Sequence, residues 1–252
     1  MQLKFRHWLV SVIVITSLIL GGCSVDRAAT QSSPSSSASE TTSTTQASSP
    51  NMEGLPVLEG KATVVMTVNG SPITIAVDGT NAPISAGNFV DLVNRGVYDG
   101  LVFHRVVRQP QPFVVQGGDP QSKNSKIPAQ LLGTGGFKDP KTGEERSIPL
   151  EIKPEGAETP IYGRTLEDAG ISEAPALRHT RGAVAMARSQ DPNSASSQFY
   201  IALADLAFLD GNYAVFGYVT DGMNAVDKIQ QGDRIESAKV TQGLENLKNG
   251  GK

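Results

Sequence analysis

Two β-branched, apolar runs meet at Asn69-Gly70, and that pairing constrains the fold more than any other feature of the chain. Ala62-Thr63-Val64-Val65-Met66-Thr67-Val68 precedes the dipeptide and Ile73-Thr74-Ile75-Ala76-Val77 follows it. Asn-Gly readily supplies the two left-handed residues of a tight turn, so the pattern predicts an antiparallel hairpin. Ser71-Pro72 can lengthen its turn. The same rhythm continues in Leu101-Val102-Phe103, Phe113-Val114-Val115, Ala183 to Ala187, Gln198 to Ala202 and Tyr213 to Val219. Many short strands at fairly even spacing predict a closed β-barrel or a sandwich. Plentiful glycine and proline (26 and 15) with only 6% aromatics fit a turn-rich β protein better than a helical bundle.

Two helices interrupt the strands. Pro83 suits a first helical turn, Phe89, Leu92 and Val93 recur at helical spacing, and Gly96 serves as a stop. A second helix is expected from Met223 to Gln231, ending at Gly232. The Pro-, Gly- and Glu-rich stretch 133–178 has little periodicity. It reads as a long surface loop holding at most one short strand, at Ser147 to Ile152. A formal net charge of -3 carries no large basic excess, which argues against nucleic acid as a partner.

The N-terminus reads as an address. Lys4 and Arg6 precede an apolar run from Trp8 to Leu20, too short to span a bilayer comfortably and suited to a signal peptide over residues 1–22. Leu20-Gly21-Gly22-Cys23 follows and resembles the lipobox of bacterial lipoproteins. That resemblance implies cleavage before Cys23, lipid on its thiol, and a domain exported and tethered to a membrane facing the periplasm or another extracytoplasmic space. Cys23 is the chain's single cysteine, so no intrachain disulfide forms. Cleavage would remove two positive charges and no acid, taking the charge from -3 to -5, and would also remove the single tryptophan, Trp8. Residues 23–54 then read as the lipidated cysteine plus a disordered Ser/Thr-rich linker, since nothing apolar recurs there. Residues 55–252 form the folded domain.

Three blocks carry a family resemblance. Phe103-His104-Arg105-Val106-Val107 with Phe113-Val114-Val115-Gln116-Gly117-Gly118-Asp119 is the first. Gly182 to Arg188 with Ser197-Gln198-Phe199-Tyr200-Ile201 is the second. Phe208-Leu209-Asp210-Gly211 with Val215-Phe216-Gly217 and Gly222-Met223 is the third. In this order they resemble the cyclophilins over roughly residues 62–240. The resemblance implies a closed eight-stranded antiparallel β-barrel capped by two α-helices. It also implies peptidyl-prolyl cis–trans isomerase activity in a monomer, with no cofactor or metal, on unfolded or partly folded Pro-containing polypeptides.

Such chemistry needs no nucleophile or base. Rotation about an X-Pro bond breaks amide resonance, a barrier of about 20 kcal/mol. A donor aimed at the prolyl nitrogen helps as that nitrogen pyramidalises, and a forked, charged guanidinium serves well. By resemblance the catalytic residues are Arg105, Phe113 and Gln116. Val114, Phe208 and Leu209 wall the proline pocket with Tyr200 below, Tyr213 flanks it, and Ala187, Arg188 and Gln198 line the groove for residues before the proline. His104 and His179 read as structural histidines, hydrogen-bonded within the fold.

Departures from the family pattern are few. Three extra residues within Arg108-Gln109-Pro110-Gln111-Pro112 lengthen the turn before Phe113. Val114 stands where many members have methionine, Tyr213 where histidine is frequent, and Arg188 where asparagine is frequent, its implied contact being largely through backbone. Phe208 stands where many eukaryotic members have tryptophan, which implies weak cyclosporin binding. Other signals carry less: Ser194 to Ser197 lack a nucleophile elbow, Gly133-Thr134-Gly135-Gly136 lacks the lysine of a phosphate loop, and Asp139 to Glu145 lack the full pattern of a calcium loop. Two rival functions stand beside the enzyme: a proline-segment-binding chaperone or scaffold with incidental turnover, and docking of a membrane complex through the 133–178 loop.

Overall fold

The computed structural model of the chain describes residues 52–250. The signal segment, Cys23 and the linker up to residue 51 lie outside the described residues. Twelve strands are described. They are β1 (Val57–Leu58), β2 (Lys61–Val68), β3 (Ser71–Asp78), β4 (Arg105–Val107), β5 (Val114–Gly117), β6 (Glu151–Ile152), β7 (Ile161–Tyr162), β8 (Ala183–Met186), β9 (Phe199–Ala202), β10 (Val215–Asp221), β11 (Ile235–Gln242) and β12 (Leu247–Lys248). Two α-helices join them, α1 (Pro83–Asn94) and α2 (Met223–Val226).

The β2–β3 hairpin forms in full register from Lys61↔Asp78 to Val68↔Ser71. Asn69 and Gly70 are therefore the whole turn, with φ of 50° and 69°. The turn is not lengthened: Pro72 lies inside β3, beyond the last residue pair with β10, Asp221↔Thr74. There its missing N–H breaks no ladder on that side.

One antiparallel sheet holds eight strands in the order β11-β2-β3-β10-β8-β9-β5-β4. The expected closed barrel is corrected here, because β11 and β4 are not paired strand to strand. The two edges meet instead along a seam of irregular chain, where Phe103 N–H donates to Asp233 O at 2.8 Å, Gly232 N–H to Phe103 O at 2.9 Å and Ile235 N–H to Leu101 O at 2.8 Å. β4 is only three residues long and glycines 100 and 232 take left-handed φ of 83° and 98°, so the chain turns away before a ladder can extend.

The sheet wraps an apolar interior. α1 contributes Phe89, which packs on Tyr98, Phe199 and Phe216 with ring centroids 5.2, 5.4 and 4.9 Å away. All four rings are fully buried. α1 has Pro at its start and no side-chain cap of its own. Its first N–H groups are instead taken by Glu151, 66 residues on in sequence from Ser85: Oε1 accepts from Ile84 N–H at 3.0 Å and Oε2 from Ser85 N–H at 2.7 Å. A carboxylate suits the positive end of a helix.

α2 is shorter than its sequence pattern predicts. It stops at Val226, and the Arg108 guanidinium takes the Val226 and Ile229 carbonyls at 3.3 and 2.7 Å. The extra turn before Phe113 is thereby anchored to this corner, and Phe113 N–H closes it onto Val107 O at 3.0 Å. Nor is 133–178 a bare loop. β6 pairs with β7, and Leu150, Ile152 and Leu166 form a small core with Ala214, flanked by Ile161 and Ile171. Of the strand expected at Ser147 to Ile152 only Glu151–Ile152 forms, with Ile148 bridged singly to Ala195.

Candidate active site

Strand alternation builds the site. In β5, β8 and β9 the side chains of Val115, Val184, Met186, Phe199 and Ile201 enter the main core. Their neighbours Val114, Ala183, Ala185, Tyr200 and Ala202 form a second buried cluster on the opposite face. Both faces are covered, which is why these strands read as continuous apolar runs. Phe113, Leu209 and Tyr213 pack on the second cluster. Together with Arg105, Val114, Gln116, Ala187, Arg188 and Tyr200 they enclose a cavity of about 310 Å³.

Register places the polar side chains in one row. Arg105 pairs with Gln116 across β4–β5, and Gln116 with Tyr200 across β5–β9. Arg105 Nη1 donates to Gln116 Oε1 at 3.2 Å, and its guanidinium carbon lies 5.4 Å from the Phe113 ring centroid. The relay continues: Gln116 Nε2 donates to Gln198 Oε1 at 3.2 Å, and Gln198 Nε2 to Gly135 O at 2.8 Å. Arg105 itself is exposed at the cavity mouth. It is thus held from one side by Gln116 and laid along an aromatic ring, with its remaining donors toward solvent.

Below the cavity, Tyr200 is buried, and burial pushes its hydroxyl far above the ordinary phenol range. Its OH lies 2.9 Å from His179 Nε2, while His179 Nδ1 lies 2.8 Å from Asp210 Oδ1. Burial lowers the His179 pKa, outweighing the contacts with Asp210. His179 is the structural histidine the sequence suggests. His104 is buried too, but it is not hydrogen-bonded as the sequence suggests: both its ring nitrogens lack a hydrogen-bond partner among the described residues, and burial lowers its pKa as well.

Two sequence-predicted residues stand apart from the cavity lining. Phe208 is 69% exposed and stacks on Phe113 at 6.0 Å, 14° from parallel, forming a rim rather than a wall. Gln198 lies in a neighbouring cavity of about 330 Å³ that shares Gln116, Ala187 and Arg188 with the first. Arg188 does more than its backbone. Its Nε and Nη2 donate to Asn212 O at 3.1 and 2.8 Å and its guanidinium lies 4.7 Å from the Tyr213 ring centroid. Sequence reading missed this brace and the role of Gly133–Gly136. Asp119 fixes that ribbon, Oδ2 accepting from Gly133 N–H at 2.6 Å and Gly135 N–H at 3.2 Å. The run of glycines beside a buried aspartate was the available signal.

The sequence model of a family described as "Cyclophilin type peptidyl-prolyl cis-trans isomerase/CLD" matches residues 63–247. A Synechocystis protein named as a thylakoid lumen peptidyl-prolyl cis-trans isomerase is 48% identical over 206 residues, covering 78% of this chain and 51% of its own length. A chloroplastic peptidyl-prolyl cis-trans isomerase of Arabidopsis thaliana is 43% identical over 213 residues, covering 77% and 46%. The chain thus spans about half the length of these two relatives. Peptidyl-prolyl cis-trans isomerase A of Dickeya dadantii is 36% identical over 173 residues, covering 67% of this chain and 70% of that protein. Among solved structures, a cyclophilin-type isomerase of Cryptosporidium parvum superposes with a TM-score of 0.53 at 23% identity, covering 72% of this chain and 98% of the other, a likeness in fold.

Proposed function

The chain belongs to the cyclophilin-type peptidyl-prolyl cis–trans isomerase family, and from that premise we propose that it accelerates rotation about X-Pro bonds in exported polypeptides. The observation that carries the reading is the guanidinium of Arg105, held by Gln116 over Phe113 at the mouth of a cavity walled by Phe113, Val114, Leu209 and Tyr213.

A proline ring seated against Phe113, Val114, Leu209 and Tyr213 is gripped while the chain before it turns. As the C–N bond twists, the prolyl nitrogen loses conjugation and regains a lone pair. Arg105 donates to that lone pair, and its interaction is stronger in the twisted state than in either planar one. This is the condition for catalysis. Gln116 keeps the guanidinium from swinging into solvent and offers its amide to a client carbonyl. Tyr200, held neutral, floors the pocket without charge. No proton is transferred, so the reaction requires no titrating group.

Export and tethering rest on Lys4, Arg6, the apolar run and Cys23 in the sequence, together with relatives named for a thylakoid lumen and a chloroplast. Cys23→Ser is expected to release the protein from the membrane fraction, and continued retention argues for an uncleaved helix.

A second reading, a proline-segment-binding chaperone, is favoured by the exposed Phe208 ring at the rim, which extends the grip beyond the cavity. Isomerisation of an X-Pro peptide by the full-length chain separates the two. Turnover above the spontaneous rate, lost in Arg105→Ala while peptide binding persists, is the enzyme's signature. Binding with no turnover leaves only the chaperone.

A further inference from the structure

A third cavity, of about 740 Å³, adjoins the Gly133–Gly136 ribbon and has no residue in common with the proline cavity. Thr134, Gly135 and Gly136 line both this cavity and the one that holds Gln198, so the ribbon is the partition between them. Val97, Pro120 and Pro140 give the third cavity an apolar wall, and Arg95, Lys123 and Lys138 bring it positive charge. A volume of this size encloses a short peptide or another drug-sized molecule, and a single small ion would leave most of it empty.

Arg95 is built into this cavity. Its side chain is 13% exposed, its Nε donates to Asp91 Oδ2 at 2.8 Å and its Nη1 to Asp139 Oδ2 at 3.4 Å. Its guanidinium carbon lies 5.8 Å from the Phe137 ring centroid. Asp91 also takes Arg146, at 2.7 Å, so two guanidiniums share one fully buried carboxylate. Beside this fixed group the two lysines are uncommitted. Among the described residues the lysine found in an ion pair is Lys248, with Glu59, and neither Lys123 nor Lys138 pairs. Glu145 is the carboxylate of the lining, and an isolated backbone bridge sets it opposite Lys138. It leans over Gly136 instead of pairing: a Cβ at residue 136 would lie 2.7 Å from Glu145 Oε1. Cations thus outnumber acids in the lining, in a chain whose formal net charge is -3. A cleft lined by one sign of charge concentrates ligands of the other.

We propose that this cavity is a second binding site, for an acidic peptide segment, separate from the path of the X-Pro client. An inorganic anion would answer the lysines and leave Val97, Pro120 and Pro140 uncovered. A segment that alternates carboxylates with small apolar side chains answers both. The proposal stands on this cavity alone and holds whether or not the chain turns over X-Pro bonds. Lys123 and Lys138 are exposed, so each contact is worth a factor of about two to five and weakens with salt.

The test uses the full-length chain and three proline-free peptides, Ala-Glu-Ala-Glu-Ala, Ala-Gln-Ala-Gln-Ala and Ala-Lys-Ala-Lys-Ala, with inorganic phosphate as a fourth probe. Affinities are measured at low and high salt, with and without an excess of an Ala-Ala-Pro peptide. The expected order is glutamate over glutamine over lysine, with phosphate weaker than the glutamate peptide. Added salt narrows the gaps and the proline peptide changes nothing. Lys123→Ala and Lys138→Ala each weaken the glutamate peptide by about two- to fivefold, with the parental circular dichroism spectrum retained. Four results overturn the proposal: equal or undetectable affinities, a glutamate preference that survives in the Lys123→Ala, Lys138→Ala double variant, displacement by the proline peptide, or phosphate bound at least as tightly as the glutamate peptide. Absence of X-Pro turnover would sink the isomerase reading and leave these affinities to decide the second site.

Discussion

Single side chains in this site are held in place by others of modest chemistry. In the proposed mechanism Arg105 depends on its fork: one nitrogen is occupied by Gln116 while others remain for the client. Lysine has no fork and cannot serve both. Arg105→Ala is expected to lower kcat/KM by about 10²–10³, the usual loss for one transition-state donor. Arg105→Lys should recover little of it, with both variants keeping the parental circular dichroism spectrum. The two buried histidines set an acid limit on stability. Their folded pKa values lie below the ordinary one of about 6.5, so the folded chain binds fewer protons than the unfolded chain when the pH falls. Their contribution is complete above about pH 6.5 and is lost as the pH drops from there through the folded values. Burial raises the pKa of Glu151, which works in the opposite sense, so the histidine contribution is read as the difference in thermal unfolding midpoint between the parent and a His104→Gln, His179→Gln double variant. That difference should hold level from pH 8 to 7 and fall toward pH 5.5, and a difference that grows on acidification would contradict this assignment.

Elements differ in how openly the sequence announces them. The hairpin at Asn69-Gly70 and helix α1 obey local rules, turn chemistry and apolar spacing, and both are legible. The row of Arg105, Gln116 and Gln198 is legible only through its motif, because nothing local distinguishes Arg105 from a surface arginine. α2 and the seam are not legible. Their limits are set by Arg108 and by Gly232 reaching Phe103, contacts between residues more than 100 positions apart. The 133–178 segment hides its order for the same reason. Its core uses Ala214 from outside the segment, and its acid Glu151 completes a helix that begins at Pro83. Glu151→Ala strands the N–H groups of Ile84 and Ser85 and should cost about 1–3 kcal/mol in urea unfolding. Glu151→Gln, which keeps one acceptor, should fall between.

At the scale of the whole molecule, the site occupies the outer face of β5, β8 and β9, while the inner face of the same strands holds the aromatic core. Core mutations at Phe199 or Ile201 therefore reach the site through one strand's thickness, with no path around it. The first and last described strands form a small sheet of their own, Val57↔Lys248 and Leu58↔Leu247. The two ends of the described domain therefore lie side by side. A permuted gene that joins residue 250 to residue 52 by a short glycine linker, and opens the chain between the exposed Lys141 and Thr142, should yield the same domain from a different start. Its far-ultraviolet circular dichroism and its kcat/KM on an X-Pro peptide should match those of the parent. Loss of the folded spectrum would mean that β1 and β12 must be made first and last for the domain to form.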